Sequence, residues 1–453
     1  MVKLPRLGRL RFPALRPLRS KWRARLRAQR AWWRRRLRAL AGDHEVLFPE
    51  AGGGVVAIET LAAGAGPRIA ILHATAGSGH KSAAVALAHA LAGLAPDAMV
   101  REVDTLVFAS RFYRRTYAQS YNAMAQRAPR LWGALYALWA QARVNKSAGP
   151  AREALDRLSL RGLVRVVERE RPDAIVCTHF LPVEALYPIR GRGRLDVPLH
   201  VVITDFTAHP LWAYPHVDRY FVASEQVATE LAGHGVPRER IEVTGIPVDP
   251  RFAQPHGREA VRARFGFGLE RPLVLVMGGG AGVGPMAELA DRLATLPEAP
   301  QVVVLCGTNA RLLRQIEALV PVHGGRLRGM GFTPHVDLLL EACDMAVSKA
   351  GGLTCSEALV KHTPLVVFKP TPGQEVSNAR FLEAGGAAVY ADSLDTVTAT
   401  VSRWLADPDA LRRARENAAA LARPDAAEAI ARRVLESVRR GSQSWARNDE
   451  GAA

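Results

Sequence analysis

Three acid–base residues stand where the chain could do chemistry. His80 closes the turn Gly77-Ser78-Gly79 after the apolar run 68–73 and opens a helical stretch through Leu91. An imidazole at a helix N-terminus has a lowered pKa, so it is neutral and able to accept a proton at pH 7. Asp205 follows the strand-like run 199–204, and a carboxylate there can take a proton itself or orient the imidazole. Glu357 follows Ser348-Lys349-Ala350-Gly351-Gly352-Leu353-Thr354, where a glycine turn opens a helix at about Thr354. Amides at that turn suit phosphate, and a carboxylate beside phosphate needs hydroxyls to accept from, as a ribose diol supplies. A bland alternative stands beside each: a structural cap for His80, and a Thr354/Glu357 capping box at i, i+3 spacing.

These residues need a scaffold of strands whose ends meet in a cleft. Runs 68–73, 174–178, 199–204, 220–223, 273–277, 302–306, 345–348 and 364–368 are short and rich in Val, Ile and Leu, with helical stretches between them. That alternation predicts an α/β protein with parallel sheets covered on both faces, here two Rossmann-like domains. Their boundary falls near residues 245–271, where Gly-Ile-Pro-Val-Asp-Pro breaks the pattern.

Two familiar labels do not fit the first glycine turn. A P-loop needs Gly before Lys81, where the chain has His80, and a dinucleotide fingerprint needs Gly or Ala at Ser82. After the run 273–277 comes Gly278-Gly279-Gly280-Ala281-Gly282-Val283-Gly284, which fits close approach of a pyrophosphate or a flexible turn between domains. Gln374, Glu375 and Asn378 follow Pro370 and Pro372, a polar cluster suited to sugar hydroxyls or to a solvated loop. His179, His209 and His216 are further cleft candidates, but no His/Asp/Glu spacing suggests a metal, and the four cysteines show no CxxC.

The 453 residues, 23% charged and 48% hydrophobic, are enough for two or three globular domains. Of the 61 Lys and Arg, 15 fall in residues 1–40 with no acid among them, leaving 46 basic against 43 acidic residues beyond. The net charge of +18 therefore describes an arm, not the body, and nucleic acid is not the expected partner. In that arm Leu18, Trp22, Leu26, Trp33, Leu37 and Leu40 share one side of a helical wheel, with Trp32 beside them. Trp and Leu opposite Arg suit a helix lying in an anionic membrane interface, and a solvated basic tail, an RNA-binding arm or an organelle transit peptide has the same composition. No run reaches the ~18 apolar residues of a membrane span. The expected location is cytoplasmic, peripheral on the inner face of a membrane.

Taken in order, the segments Gly77-Ser-Gly79-His80, Thr204-Asp205-Phe206 through His209, Trp212, 215–221, Thr244-Gly-Ile-Pro247, Lys349-Ala-Gly351, Ser356-Glu357-Ala358 and Pro372-Gly-Gln-Glu375 with Asn378 resemble one family. It comprises the monogalactosyldiacylglycerol synthases and processive diacylglycerol glucosyltransferases, relatives of the lipid II-forming N-acetylglucosaminyltransferase. The resemblance implies a GT-B fold, two Rossmann-like domains facing a cleft. Beyond the membrane-binding arm (1–45), which its own residues and not the resemblance define, the chain divides into an acceptor domain (46–250), a nucleotide-sugar domain (251–407), a final helix at about 408–440 returning to the acceptor domain, and a tail (441–453).

The resemblance further implies an inverting transferase that moves a sugar from a UDP-sugar, its co-substrate, to diacylglycerol or a glycosyldiacylglycerol, without a cofactor. His80 and Asp205 are the base candidates. Gly279 and Gly280 would lie near the diphosphate, Gly331 and Phe332 near uracil, Glu357 on ribose, and Gln374 and Glu375 on the sugar, with Lys349, Gly351, Gly352, Thr354 and Asn378 completing the donor site. The stretch 108–144, with Tyr113, Tyr117, Trp132 and Tyr136, matches the family's acceptor and membrane-facing region, and otherwise reads as an aromatic core helix pair. Thr75 stands where the plant galactosyltransferases carry Asp, which leaves the donated sugar open. A polyprenyl-linked acceptor and a UDP-sugar epimerase on the same fold are the alternatives.

Overall fold

The computed structural model describes residues 66–75, 78–109, 113, 158–280, 282 and 284–449, with side chains through residue 440. Trp22, Trp32, Trp33, Gly77, Tyr117, Trp132 and Tyr136 lie outside the described residues. Among the described residues twelve strands form two six-stranded parallel sheets within one compact unit. The first contains β1 (Arg68–His73), β2 (Met99–Asp104), β3 (Ala174–Cys177), β4 (Leu199–Val202), β5 (Arg219–Val222) and β6 (Ile241–Val243), in the order β2-β1-β3-β4-β5-β6. The second contains β7 (Leu273–Met277), β8 (Gln301–Gly307), β9 (Leu327–Gly331), β10 (Met345–Ser348), β11 (Leu365–Phe368) and β12 (Ala388–Ala391), in the order β12-β11-β10-β7-β8-β9.

The interior strands β3, β4, β7, β10 and β11 are buried at every residue, as apolar strands with helices on both faces must be. The strands missing from the sequence reading are β2, β6, β9 and β12, and these are the four sheet edges. An edge strand is covered less completely, so Arg101, Glu242 and Arg328 interrupt the apolar runs by which a strand is recognised. In the second sheet the strand order reverses between β7 and β10, which is the switch point where open α/β sheets bind ligands beyond their carboxyl ends. In the first sheet β1 plays the corresponding part, with β2 on one side and β3 on the other.

The carboxyl-terminal region divides its work between two helices. Helix Pro408–Leu421 packs on the second domain, with Ala414 in its core and Arg415 donating to the Cys343 carbonyl at 2.8 Å. Helix Ala426–Asp449 then crosses to the first domain, where Ala427, Ile430, Ala431 and Val434 pack with Ile69, Leu87 and Leu91. Its Arg433 pairs with Glu242 at 2.7 Å, and Ser437 Oγ lies 2.9 Å from His200 Nε2. The crossing passes over the other interdomain connection: a Cβ on Gly245, whose φ is 93°, would fall 2.5 Å from Arg423 Cβ.

Candidate active site

The first domain's side of the cleft, expected to take the acceptor, is built from the ends of three adjacent parallel strands, β1, β3 and β4. His80 occupies the first turn of helix Ser78–Leu94 after β1. Its Nδ1 lies 2.7 Å from the Thr178 carbonyl oxygen beyond β3 and 3.0 Å from Thr204 Oγ1 beyond β4. A carbonyl only accepts, so Nδ1 carries the proton and the lone pair is on Nε2, which has no hydrogen-bond partner among the described residues. Thr178 Oγ1 returns a bond to the His80 carbonyl at 2.9 Å, and the His179 ring meets the imidazole edge-on with centroids 4.5 Å apart. Burial pushes His80 down to about 4, against the Thr178 bond that raises it, so the ring is neutral at pH 7.

Asp205 does not orient the imidazole as the sequence reading allowed. No hydrogen bond or ion pair joins the two among the described residues, and the bonds that hold the His80 ring come from Thr178 and Thr204 instead. Beyond Thr204 the chain instead turns Asp205 toward the second domain, where its Oδ1 accepts from Asn378 Nδ2 at 3.0 Å. Burial raises the Asp205 carboxyl to about 6, with the Asn378 bond opposing and the nearby Glu375 adding to the rise. His209 is likewise committed locally, its Nδ1 accepting from the Leu211 amide at 3.2 Å as a cap. His216 leaves the cleft altogether. It lines a surface pocket of about 550 Å³ with Arg190, Asp196, Asp218 and Arg240, before β5 and so at the opposite end of the strands from His80.

On the second domain's side, expected to take the donor, the loop after β7 needs its glycines. Gly279, Gly282 and Gly284 have φ of 72°, 54° and 115°, and a Cβ on Gly279 or Gly280 would meet nothing within 4 Å, so this backbone faces open space. A buttress that the sequence reading did not single out supports it. Gly307 has φ 56° and leaves no room for a side chain, since a Cβ would lie 2.2 Å from the Gly280 carbonyl oxygen. The Thr308 amide donates to that oxygen at 3.1 Å. Asn309 donates to the Gly282 carbonyl at 3.1 Å while capping helix Ala310–Leu319. Gly331 ends β9, and Phe332 beside it is 77% exposed.

The loop after β10 begins its helix earlier than expected. Helix Gly352–Val360 has Gly351 as N-cap, so Thr354 lies inside the helix and forms no capping box with Glu357. The Glu357 carboxyl makes no hydrogen bond or ion pair among the described residues. Burial pushes it up to about 8, with Arg251 opposing and Asp249 and Asp337 adding to the rise. A carboxyl in that state is suited to partners that bring hydroxyls. Helix Gln374–Ala384 starts after Gly373, at φ 103°, and the first-turn Glu375 accepts from the Thr371 amide at 2.5 Å. Lys349 Nζ lies 3.4 Å from Thr371 Oγ1 and 4.0 Å from Glu375. Asn378, expected among sugar contacts, is 0% exposed, and its amide is spent inside the protein.

The two sides meet at their helix N-termini. A Cβ on Gly79 would touch Leu353 Cδ2 at 3.7 Å, and one on Gly352 would lie 1.9 Å from the Thr204 carbonyl oxygen. Two N-terminal dipole ends and a neutral imidazole thus converge on one cleft, an arrangement that favours a developing anion and a proton transfer together.

The profile of the monogalactosyldiacylglycerol (MGDG) synthase family matches residues 80–248, and that of the glycosyltransferase family 28 C-terminal domain matches residues 273–430. The processive diacylglycerol beta-glucosyltransferase of Bacillus licheniformis is 31% identical over 275 residues, covering 60% of this chain and 71% of the relative. Its Bacillus subtilis counterpart is 31% identical over 274 residues, with the same shares. Among solved structures, Acinetobacter baumannii MurG superposes with a TM-score of 0.53 at 15% identity, over 82% of this chain and 100% of that one. The S. aureus MnaA–UDP structure gives 0.53 at 12% identity, over 80% and 94%. These structural likenesses speak to the fold alone, which is GT-B. Residues 80–248 and 273–430 each match a glycosyltransferase domain, and 275 residues of the chain align at 31% identity with 71% of a curated relative: the chain belongs to the monogalactosyldiacylglycerol synthase and processive diacylglycerol glucosyltransferase family of glycosyltransferases.

Proposed function

We propose that this glycosyltransferase moves a sugar from a UDP-sugar to a hydroxyl of diacylglycerol or of a glycosyldiacylglycerol, as a peripheral protein on the inner face of a membrane. The observation that carries the reading is the approach of helix Gly352–Val360 to the strand ends that hold His80, with Gly352 against the Thr204 carbonyl and Leu353 against Gly79, while His80 Nε2 has no hydrogen-bond partner among the described residues. In this mechanism Nε2 takes the proton of the acceptor hydroxyl as its oxygen attacks the anomeric carbon. The bond from that carbon to the diphosphate breaks on the opposite face, giving inversion in one displacement. The leaving diphosphate gains charge, which the amides around Gly279, Gly280 and Gly352 and the Lys349 ammonium stabilise. Glu357 receives the ribose hydroxyls, and Gln374 and Glu375 the sugar. No cofactor is needed for this chemistry beyond the UDP-sugar itself.

Among the described residues no helix is long and apolar enough to cross a membrane. The lipid surface is assigned to the basic arm and the aromatic stretch 108–144, except Tyr113, which is buried in the hydrophobic core and so does not face lipid as the resemblance implied. Incubating the full chain with a panel of UDP-sugars and diacylglycerol vesicles, and identifying lipid products by mass spectrometry, tests the reading. A hexosyl-diacylglycerol is the expected product. Turnover of UDP-sugar with no lipid present would favour an epimerase instead, and product only with a polyprenyl phosphate acceptor would replace the lipid.

A further inference from the structure

Asn378 lies on helix Gln374–Ala384, one turn beyond the Gln374 and Glu375 side chains assigned to the donor sugar, yet its side chain is buried and turned to the protein itself. Its Oδ1 accepts from the Phe206 amide at 2.7 Å, and its Nδ2 donates to Asp205 Oδ1 at 3.0 Å and to the Ala350 carbonyl at 2.9 Å. A backbone amide only donates and a carbonyl only accepts, so the side-chain orientation is fixed and both N–H groups are used. One side chain thereby joins the turn after β4, in the acceptor domain, to the glycine turn after β10, in the donor domain. The same helix reinforces the junction one turn later, where Phe381 stacks on Phe206 with ring centroids 4.7 Å apart.

We propose that Asn378 is a positioning residue that holds Asp205 in its working place through the donor loop, so that a donor held on helix Gln374–Ala384 steadies the acceptor side of the cleft. The proposal rests on the glycosyltransfer reading and deepens it: the two domains share this amide, so the donor side of the site sets the place of Asp205 on the other. Only an amide fits the position. A carboxylate would face the Asp205 carboxylate and the Ala350 oxygen with no hydrogen to give, and an apolar side chain would strand the Phe206 amide as well.

Asn378→Asp and Asn378→Ala in the full chain separate this from a merely structural role. The measurements are UDP affinity by calorimetry, kcat from pH 5 to 8 relative to wild type, and hydrogen exchange at the Phe206 amide with and without UDP-glucose. Asn378→Asp should keep UDP affinity within about threefold and lose at least about tenfold in kcat at pH 8. That loss should shrink toward pH 5, where the new carboxyl regains a proton to donate to Asp205, while the Phe206 amide stays protected. Asn378→Ala should lose kcat evenly across pH and lose the protection at Phe206. An unchanged kcat in either variant, or an Asn378→Asp deficit equal at pH 5 and pH 8, overturns the proposal. Should Asn378→Asp fail to fold, Asn378→Ala decides by the same kcat and Phe206 measurements. If the wild type makes no glycolipid from any donor, the functional reading falls by itself. The tie is then judged on exchange: donor-dependent protection at Phe206 that Asn378→Ala removes upholds it, and protection indifferent to the substitution sinks it.

Discussion

Gly352 and Thr204 are in backbone contact across the cleft: a side-chain carbon on the glycine would stand 1.9 Å from the threonine carbonyl oxygen and 3.2 Å from Asp205 Oδ1. Gly352 sits at the start of a regular helix, so it is space and not conformation that demands glycine here. The missing Cβ sets how near the donor loop comes to the strand end that carries the Thr204 contact to His80. Gly352→Ala must push the two domains apart or distort the turn, costing about 1–3 kcal/mol as overpacking does. A shift of about 1 Å in the cleft can cost on the order of 10²-fold in rate. We expect kcat to fall far more than UDP affinity, with a lowered urea midpoint. A variant with kcat within twofold of wild type would mean that the contact does not set the cleft.

How much of this was legible in the residues depended on whether side chains or backbone carried the information. The central strands declared themselves by unbroken apolar runs, and the glycine loops after β7 and β10 by composition. The edge strands did not, because solvent on one side admits Arg101, Glu242 and Arg328 into them. Within the site, His80 stood out as an unusual side chain at a glycine turn, but the groups that fix its tautomer, the Thr178 carbonyl and the Thr204 hydroxyl, come from distant strands and leave no local spacing to read. The Gly307-Thr308-Asn309 buttress was invisible for the same reason, since it acts through backbone and through contacts made only in three dimensions. Asn378 was singled out correctly as unusual and misread in direction: composition marks a polar residue after a turn, and only packing shows that it points inward.

The arm offers a test that does not depend on the cleft. Residues 1–40 hold 15 basic and no acidic residues, whereas the remainder is nearly balanced at 46 against 43. Each basic residue near an anionic surface contributes about 1 kcal/mol of attraction. Deleting 1–40 should leave UDP affinity and the thermal midpoint close to those of the full chain while sharply reducing sedimentation with anionic vesicles. Equal sedimentation of both proteins would move the membrane contact to the stretch 108–144.

The acid limb of the rate profile distinguishes the two base candidates. His80 accepts a proton only when neutral, and with its pKa lowered to about 4 it is neutral throughout the range above that value. Asp205 accepts only when ionised, and burial has raised it to about 6. If His80 Nε2 alone is the base, kcat should hold as pH falls from 7 to 5 and decline only near 4. If the Asp205 carboxylate is required, the decline begins near 6. His80→Ala should lose about 10²- to 10⁴-fold in kcat with UDP affinity preserved. In Asp205→Asn any limb near 6 should disappear. A His80→Ala enzyme with near-normal turnover would leave Asp205 as the base.

Glu357 should reveal its function by being bad for the fold. Its carboxyl is raised from an ordinary value of 4.5 to about 8, chiefly by burial, so the folded protein holds a proton there that the unfolded chain gives up. Below pH 4.5 both states are protonated and the residue costs nothing. As pH rises from 4.5 toward 8 the unfolded state ionises first, binding fewer protons than the folded state, and stability falls across that window. Glu357→Gln removes the titration, so the variant should gain on wild type progressively over the same window. The gain should reach on the order of a few kcal/mol near pH 8, one pKa unit being about 1.4 kcal/mol. UDP affinity at pH 8 should move the other way, because the ribose hydroxyls lose a carboxyl that can ionise and accept from them, a charge-assisted contact worth about 1.5–3 kcal/mol, or roughly tenfold or more in Kd. Urea denaturation at pH 5 and pH 8 with calorimetry of UDP binding checks both halves. A variant that binds UDP as tightly as wild type would place Glu357 outside the donor site. One that gains nothing between pH 5 and pH 8 would show that its carboxyl ionises freely in the folded protein.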